Sequence, residues 1–465
     1  MNSYKSQKNI FTGWVYPLFV AALVLLGSFT GLEVYTAVLS IIIVSIALLV
    51  SNTIKPFLFF ILTFAYQMPK EHLYPSDYYT TGYRPYLILG AFALLAVALI
   101  IFIIKNEIFY RAKLYKIPLF VPLCILSVGM FLNGYGQENY NPMNLVWPLL
   151  MMLGYFFLYV VVYLGIKGED TEDMVQYFTY MTLLMSWILI ALMAKLYFVD
   201  GVVVNGVIDR GRIKLGFGVC NLIGFHISTL IPVNFYGYMK GKMPFIHMIT
   251  AFILLIASIA TTSRNAMLFG IIYFIVGLVM CLFFGDRKEE ARIAIPLVTI
   301  VFIAALIIFK DDFKILVDLY IDRGLDSSGR IDIWKKCVEI FKGNKTFGVG
   351  FFGMQVASQF VPDEFIPEFA HNTFFHLIAA TGIVGTLCYG FYRLATLKYM
   401  FYKPSLERFM LLMGASVLLA ESLLDNYVFH IYTTFYYVIA LAIAVRLYEK
   451  EIHPSMSDFD YSYHI

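Results

Sequence analysis

Apolar runs of nearly twenty residues, separated by short polar stretches, fill most of this 465-residue chain. A run of that length matches what an α-helix needs to cross the hydrocarbon core of a bilayer. The pattern predicts about fourteen such segments, near residues 14–30, 34–50, 56–68, 85–104, 117–132, 145–166, 175–198, 215–238, 243–261, 264–284, 293–309, 370–391, 406–423 and 429–446. Because the third run is short, it either spans or is re-entrant. We therefore predict an all-α, polytopic membrane protein with about 12–14 transmembrane helices.

The longest interruption of the apolar pattern covers residues 310–369, which carry charges and glycines. Hydrocarbon tolerates no irregular, lipid-exposed backbone, so a loop of this length has to lie in water or over a cavity. The interruption divides the chain into four segments: N-terminal helices in 1–204, further helices in 205–309, the loop 310–369, and C-terminal helices with a short tail in 370–465.

One helix is predicted inside the loop, with Ser328 as its N-cap and Gly343 at its end. Apolar residues, among them Trp334 and Cys337, recur between these two positions at helical spacing. The helix is therefore expected to be amphipathic and to lie at the membrane surface or above a cavity. Gly348 to Gly353, which read GVGFFG, are expected to form a flexible turn after it.

Composition excludes several classes of protein. The chain is 60% hydrophobic and only 14% charged, which is unlike a soluble domain. The net charge of +3 is small and the basic residues are dispersed, so no nucleic-acid partner is expected. The five cysteines lie far apart without metal-binding spacing, so neither a disulfide framework nor a zinc site is predicted. We expect no metal and no cofactor.

The distribution of Lys and Arg in the short loops predicts the orientation, because cytoplasmic loops are enriched in these residues. Most lie in the segments that are internal if the N-terminus is cytoplasmic, including Arg393 and Lys398 after the run that ends near residue 391. Both termini are then cytoplasmic, and the loop 310–369 lies outside the cytoplasm.

Four arginines lie near the outer ends of predicted spans. Arg264 begins one span, Arg210 and Arg212 precede another, and Arg330 opens the loop helix. Arginine forks bind phosphate oxygens in a bidentate manner, so an arginine cluster above a bilayer indicates a phosphorylated lipid. The alternative for each residue alone is a solvated or snorkelling loop charge.

His371 and Asn372 lie where the chain re-enters the membrane on the same side. A neutral histidine can accept a proton from a hydroxyl near pH 7, so His371 is the candidate base, with Asn372 as a candidate substrate-binding residue beside it. The alternative is a packing role at the start of a helix. His376 lies about 140° further around a helix and is not expected to share the His371 face.

Acidic residues offer two weaker possibilities. Glu421 and Asp425 lie near another outer end, where they either support the site or pack the spans. Three aspartates occur at every fourth position ahead of the loop helix and could hold a cation, although a solvated acidic face is the favoured interpretation. They are Asp318, Asp322 and Asp326.

Several motifs follow one another along the chain: GRIKLGFGVCN, SR at the start of a span, SGR with a following W, GVGFFG, HN at the start of a span, and TGIVG. Their order resembles the family of O-antigen ligases and polymerases, including capsular polysaccharide polymerases. The resemblance covers roughly residues 205–390. The family's usual proline before an asparagine is replaced here by Cys220 before Asn221.

The resemblance implies a multispan glycosyltransferase that acts outside the cytoplasm on glycans linked to undecaprenyl pyrophosphate, without a nucleotide sugar or a metal. It implies that Arg212 and Arg264 hold the pyrophosphate, with Arg210 as the alternative to Arg212. Arg330 would assist, and His371 would activate the acceptor hydroxyl.

We therefore predict a polysaccharide repeat-unit polymerase in the cell membrane. Its partners would be a lipid-linked oligosaccharide, membrane lipid, and possible flippase and chain-length-regulating proteins. One alternative is a ligase that moves the glycan to another acceptor, which would use the same chemistry. The other is a transporter of the lipid-linked glycan, which would favour charges at the bilayer midplane and paired repeats.

Overall fold

A computed structural model of the chain describes residues 10–11, 13–70, 82–110, 112–138, 140–204, 206–323, 329–354, 370–425 and 427–452. In these residues it contains seventeen α-helices and two short β-hairpins. The helices are α1 (Val15–Thr30), α2 (Glu33–Val50), α3 (Lys55–Thr63), α4 (Arg84–Lys105), α5 (Phe120–Phe131), α6 (Val146–Met151), α7 (Leu158–Gly165), α8 (Thr171–Phe198), α9 (Cys220–Lys240), α10 (Pro244–Ala260), α11 (Arg264–Phe283), α12 (Lys288–Ile308), α13 (Lys310–Arg323), α14 (Arg330–Gly343), α15 (Thr373–Phe401), α16 (Leu406–Glu421) and α17 (Ile431–Ile452).

The hairpins lie between α8 and α9. Strand β1 (Val203–Val204) pairs antiparallel with β2 (Val207–Ile208), and β3 (Lys214–Leu215) pairs antiparallel with β4 (Gly218–Val219). They interrupt an otherwise helical chain just before α9 begins.

Seven helical segments within the described residues are long and apolar enough to cross a membrane. They are α2, α4, Pro142–Gly165, α8, α11, α12 and α15, and the shorter helices α1, α5 and α10 are also apolar. These findings confirm an all-α, polytopic membrane protein, while the number of crossings stays a prediction. Helix α3 is too short to cross alone, because nine residues span only about 14 Å. All nine are buried, as a re-entrant segment requires.

The chain forms two compact units. The first consists mainly of Met1–Ala112 and Val162–Asp322. Within it, α9 runs parallel to α11, because Gly224 meets Ala266 near their first turns and Gly277 meets Phe235 further along. Both helices therefore begin at the same end of this unit.

The second unit consists mainly of Lys113–Val161 and Arg323–Met456. Its longest helix, α15, is broken at Gly382, where φ is 63° and ψ is −161°. Four backbone hydrogen bonds of 2.8–3.2 Å join residues 345–350 to residues 379–384 around the break. The amide and carbonyl groups freed by the break are thus paired inside the protein, as irregular backbone at membrane depth requires.

The GVGFFG stretch is the segment that pairs with this break, and it contains the predicted turn, in which the Gly353 N–H donates to the Gly350 carbonyl at 3.2 Å. Its flexibility stays a prediction. The backbone N–H groups of Phe351 and Phe352 donate to the side-chain oxygens of Asn133 and Asn144, at 3.1 and 2.8 Å. A Cβ at Gly350 would lie 2.2 Å from Asn144 Nδ2, so a larger residue would not fit there. The glycines permit close packing.

Two further predictions about helix ends can be compared with the structure. The loop helix ends at Gly343 as predicted, while its proposed cap, Ser328, lies outside the described residues. Helix α15 continues to Phe401 instead of ending near residue 391. Arg393 is therefore part of a spanning helix and is buried, although the charge pattern had placed it in a cytoplasmic loop.

Candidate functional site

His371 lies immediately before α15, in the second unit. Its Nδ1 is 3.1 Å from Oδ1 of Asp425, a residue just beyond the end of α16. The Asp425 side chain is 11% exposed and that of His371 is 42% exposed. A carboxylate that accepts a hydrogen bond from Nδ1–H fixes the tautomer in which Nε2 can accept a proton. The pair therefore has the arrangement of a general base with an orienting carboxylate.

Asn372 is the N-cap of α15, and both polar atoms of its side chain form hydrogen bonds within the protein. Its Oδ1 accepts hydrogen bonds from the backbone N–H groups of Phe374 and Phe375, at 2.9 and 3.1 Å. Its Nδ2 donates to the carbonyl of Leu423 at 2.6 Å. These bonds hold the start of α15 next to His371, and the predicted contact of Asn372 with the substrate stays a prediction.

The turn after α16 is tied to two other elements. The carbonyl groups of residues 422–424 accept hydrogen bonds of 2.9, 2.6 and 2.7 Å from the Thr373 N–H, Asn372 Nδ2 and Arg330 Nη1. Arg330, the first residue of α14, thus lies next to Asp425 along this turn. The second unit brings together three of the predicted site residues: His371, Asn372 and Arg330.

Trp334 provides a second attachment of α14 to this region. Its Nε1 donates to the carbonyl of Ala370 at 2.9 Å, and its ring stacks on Phe375 with centroids 5.3 Å apart. The residues on both sides of His371 are therefore held by side chains. The sequence indicated Trp334 as part of an apolar helix face and of the SGR motif with its following W.

His376 has surroundings different from those of His371. It is fully buried in α15 and its ring stacks on Phe351 with centroids 5.6 Å apart. This is a packing environment, in line with the prediction that the two histidines do not share a face.

The three remaining arginines lie in the first unit. The Nη2 of Arg210 donates to Oδ1 of Asn221 in the first turn of α9, at 3.0 Å. Arg264 is the first residue of α11 and follows Ser263, whose Oγ caps that helix. Since α9 and α11 begin at one end of this unit, Arg210 and Arg264 lie at two neighbouring helix N-termini. Positive helix ends and arginine side chains both favour an anion.

Arg212 has a different environment, because it is exposed and its Nε pairs with Asp209 at 3.1 Å. Its Nη1 donates to the carbonyl of Gly201 at 3.2 Å. Arg210 is only partly exposed, has a neutral amide partner, and keeps a buried Nε–H that forms no hydrogen bond in the described residues. Of the two alternatives, Arg210 has the less neutralised charge.

An ion cluster stabilises the chain ahead of the hairpins. Lys70 and Lys195 both pair with Asp200, which follows α8. Burial raises the pKa of the Asp200 carboxyl, but the hydrogen bonds and charges of Lys70 and Lys195 outweigh it and lower that pKa below its usual value. Asp200 therefore remains charged, and its ion pairs hold the start of the segment that carries Arg210.

Strained backbone marks both helix starts. His371 has φ of 49° and Thr262 has φ of 58°, and each directly precedes an N-cap residue, Asn372 or Ser263. Positive φ in a residue other than glycine costs about 1–3 kcal/mol and is concentrated at functional sites. Tyr320 supports the second of these turns, since its hydroxyl donates to carbonyls at Ile259 and Ser263 at 3.0 and 3.4 Å.

A family model described as O-antigen ligase matches residues 249–390. This segment, about a third of the chain, is therefore similar to the O-antigen ligase family. It begins within α10, ends within α15, and contains Arg264, Arg330, His371 and Asn372, while Arg210 and Arg212 precede it. The resemblance inferred from the motifs is thus confirmed over most of its length. No curated protein matches the chain.

The O-antigen ligase family consists of membrane glycosyltransferase-like enzymes, which agrees with the polytopic fold. The match does not include Asp425, which the sequence indicated only as a polar group near a span end. Its pairing with His371 could not be recognised from the motifs, because 54 positions separate the two residues.

The acidic face ahead of α14 does not gain support as a cation site. Asp318 lies exposed on α13, and Asp326 lies outside the described residues. The expectation of a metal-independent reaction stays a prediction.

Proposed function

We propose that the protein is a polysaccharide repeat-unit polymerase that acts at the outer face of the cell membrane. It would transfer glycan from undecaprenyl pyrophosphate to a hydroxyl of a second lipid-linked glycan. A flippase would supply these substrates, and a chain-length regulator would be a natural partner. The observation that carries the proposal is the pairing of His371 with Asp425 at a strained helix start inside the O-antigen ligase region.

In the proposed reaction, the acceptor hydroxyl oxygen forms a bond to the anomeric carbon of the donor glycan while the bond to the pyrophosphate oxygen breaks. His371 Nε2 takes the hydroxyl proton, and Asp425 stabilises the imidazolium that results. The electron pair of the broken bond leaves with undecaprenyl pyrophosphate. The bond that forms and the bond that breaks balance without an oxidant or a reductant, and the His371 imidazolium then releases its proton to water.

The leaving pyrophosphate gains negative charge, which arginine forks and helix N-termini can offset. We assign this role to Arg264 and Arg210. Arg210 is preferred over Arg212 because the latter is exposed and already pairs with Asp209. Arg330 would contribute through its position beside Asp425.

A ligase that transfers the glycan to another acceptor is the second candidate, and the description of the matching family favours it. Both activities would use the same base and the same leaving group. The product separates them, because a polymerase extends glycan on undecaprenyl pyrophosphate, whereas a ligase releases that lipid carrier from the finished glycan.

The test is His371→Ala in cells that make the polymer. We expect lipid-linked single repeats to accumulate and the rate to fall by about 10²–10⁴, the usual cost of losing a general base. Phe374→Ala is the matched control, since this side chain on the same turn is 51% exposed. Near-normal polymer from His371→Ala at equal amounts of folded protein would refute the proposal, as would a product that consists only of glycan on a different acceptor.

A further inference from the structure

Arg393 is a charged residue buried within the spanning helix α15, where only 9% of it is exposed. It forms no ion pair in the part of the chain that the structure describes, and its Nε and Nη1 have no hydrogen-bond partner there. An ionisable residue inside a membrane segment is costly and usually has a specific role. The proposed reaction does not use Arg393, so its retention needs a separate explanation.

Four tyrosine rings surround the guanidinium group. Their centroids lie 4.7 Å (Tyr389), 4.8 Å (Tyr437), 5.2 Å (Tyr392) and 5.7 Å (Tyr155) from its central carbon. Each such contact contributes about 0.5–2 kcal/mol, so together they offset part of the cost of the buried charge. The rings come from α15, from α17 and from the turn between α6 and α7. We call this group the tyrosine cage.

Tyr155, one of the four tyrosines of the cage, links Arg393 by hydrogen bonds to the segment that follows Asp425. Arg393 Nη2 donates to the hydroxyl of Tyr155 at 3.4 Å, and this hydroxyl donates to the carbonyl of Val428 at 3.3 Å. Val428 lies three positions after Asp425, in the connection between α16 and α17. A tyrosine hydroxyl can accept and donate at the same time, so the two bonds are compatible.

The position of Tyr155 depends on an unusual helical turn. Met152–Phe157 form a π-helical turn between α6 and α7. Such turns are rare and occur frequently at functional sites, because the extra residue turns side chains out of the regular helical register. Here the turn carries the one cage tyrosine that bonds to the connection after Asp425.

The connection between α16 and α17 is also held at its start, where Asp425 lies. The Asp425 N–H donates to the carbonyl of Glu421 at 2.9 Å, which ties it to the end of α16. The Tyr155 hydroxyl holds Val428 on the opposite side. Asp425 thus lies between two anchors, and its carboxylate meets His371 from this fixed position.

We infer that Arg393 is a positioning residue that, through the Tyr155 hydroxyl and the Val428 carbonyl, holds Asp425 against His371. The inference rests on the proposed function, because it assumes that the pairing of His371 with Asp425 serves the reaction.

Tyr155→Phe is the main test, since it removes the hydroxyl and keeps the aromatic ring. Losing the hydrogen bonds of this hydroxyl to Arg393 and Val428 should lower kcat by about 3- to 10-fold with KM for the lipid-linked donor within about twofold. Tyr437→Phe is the matched control, because it removes a cage hydroxyl that makes no bond to Val428, and its kcat should stay within about twofold of wild type. Arg393→Met should reduce kcat at least as much as Tyr155→Phe, and Arg393→Lys, which retains a charge and a donor, should recover part of the loss.

A double-mutant cycle separates positioning from general stability. If Tyr155 acts through Asp425, Tyr155→Phe should cause no further loss of kcat in an Asp425→Asn background, because residues that act as a unit are non-additive. A purely structural role would lower the yield or the unfolding temperature and leave kcat per folded enzyme unchanged. All rates are therefore measured on equal amounts of monodisperse protein in detergent or nanodiscs.

The possible outcomes distinguish this inference from the proposed function. Activity retained in His371→Ala would remove the proposed function and, with it, the basis of the inference. An inactive His371→Ala together with unchanged kcat in Tyr155→Phe, or with fully additive losses in the cycle, would overturn the inference alone. If Tyr155→Phe does not fold, the same comparison between Arg393→Met and Arg393→Lys decides the matter.

Discussion

Replacing Asp425 with asparagine tests the core of the candidate site with the smallest change in shape. The amide oxygen of asparagine can still accept the hydrogen bond from His371 Nδ1, but the negative charge is lost. If Asp425 stabilises the imidazolium that forms when His371 accepts a proton, kcat should fall while KM for the donor stays nearly constant.

The structure sets the size of the effect. Two unit charges 3.1 Å apart interact by about 5 kcal/mol at an effective dielectric constant of about 20. Because the His371 side chain is 42% exposed, water screens the pair, and we reduce this to about 2 kcal/mol. At about 1.4 kcal/mol for each factor of ten, Asp425→Asn should lower kcat about 30-fold.

The assay measures polymer formed from lipid-linked repeats by the purified protein at saturating donor. Asp332→Asn on α14 is the control, because this side chain is 82% exposed and pairs with the exposed Lys335. A kcat above about half of the wild-type value would refute the charge-stabilisation role of Asp425. An equal loss in Asp332→Asn would show that the assay is reporting folding.

Four further outcomes are expected. Arg264→Lys should impair polymerisation because it loses the bidentate fork, and Arg264→Ala should impair it more, with equal activities of the two variants contradicting the assignment. Gly382→Ala should destabilise the protein by at least about 1–3 kcal/mol in thermal unfolding, since φ is positive and a Cβ would lie 2.4 Å from a carbonyl oxygen. Gly390→Ala should be neutral or stabilising, because a Cβ there would have no neighbour within 4 Å. In a variant whose sole native cysteine is Cys337, Lys335→Cys should react with a membrane-impermeant thiol reagent in intact cells. Cys337 should stay unlabelled, because burial raises the pKa of its thiol to about 12. Labelling of Lys335→Cys only after lysis would reverse the predicted orientation. Removal of divalent metals with a chelator should leave the rate within about twofold, and a loss that magnesium restores would contradict the arginine-based mechanism.

The positions of the helices were predictable because lipid acts as a uniform apolar solvent. A run of about twenty apolar residues leaves a strong signal that needs no periodicity, and the seven segments that are long enough to span lie on predicted runs. Helix α13 was not predicted, because it lies in the polar interruption of the pattern. The end of α15 was missed because Arg393 and Lys398 have the composition of a loop. A buried arginine escapes such a prediction when its partners are tyrosines from distant parts of the chain.

The individual site residues were predictable where a motif carried them. The motifs SR, SGR and HN picked out Arg264, Arg330 and His371, which all lie in the matching family region. Motifs do not show what a side chain contacts. Only the structure shows that Asn372 caps α15 and that the exposed Arg212 pairs with Asp209.

Backbone strain was also beyond the sequence. Positive φ is expected of glycine; histidine adopts it more often than most other residues, but this preference is too weak to predict it at His371, and Thr262 has no such preference. Hydrogen bonds from residues far away in the chain hold the backbone beside His371, such as the bond from Trp334 Nε1 to the Ala370 carbonyl. The sequence can therefore identify candidate residues, but it does not reveal the distant contacts that orient their side chains.

The glycine motifs hold the part of α15 that lies next to His371. Residues 373–381 form a short half-helix between the break at Gly382 and His371. The break would leave this half-helix free to tilt, because no continuous helical backbone joins it to the rest of α15. Residues 345–350 prevent that by pairing with both sides of the break, and Asn372 and Trp334 hold the other end of the half-helix.

A base has to be held close to the proton that it accepts, and a displacement of about 1 Å can cost about 10²-fold in rate. The GVGFFG and TGIVG stretches, which contain no chemically reactive side chain, thus serve the proposed reaction by fixing the direction of the half-helix that His371 precedes.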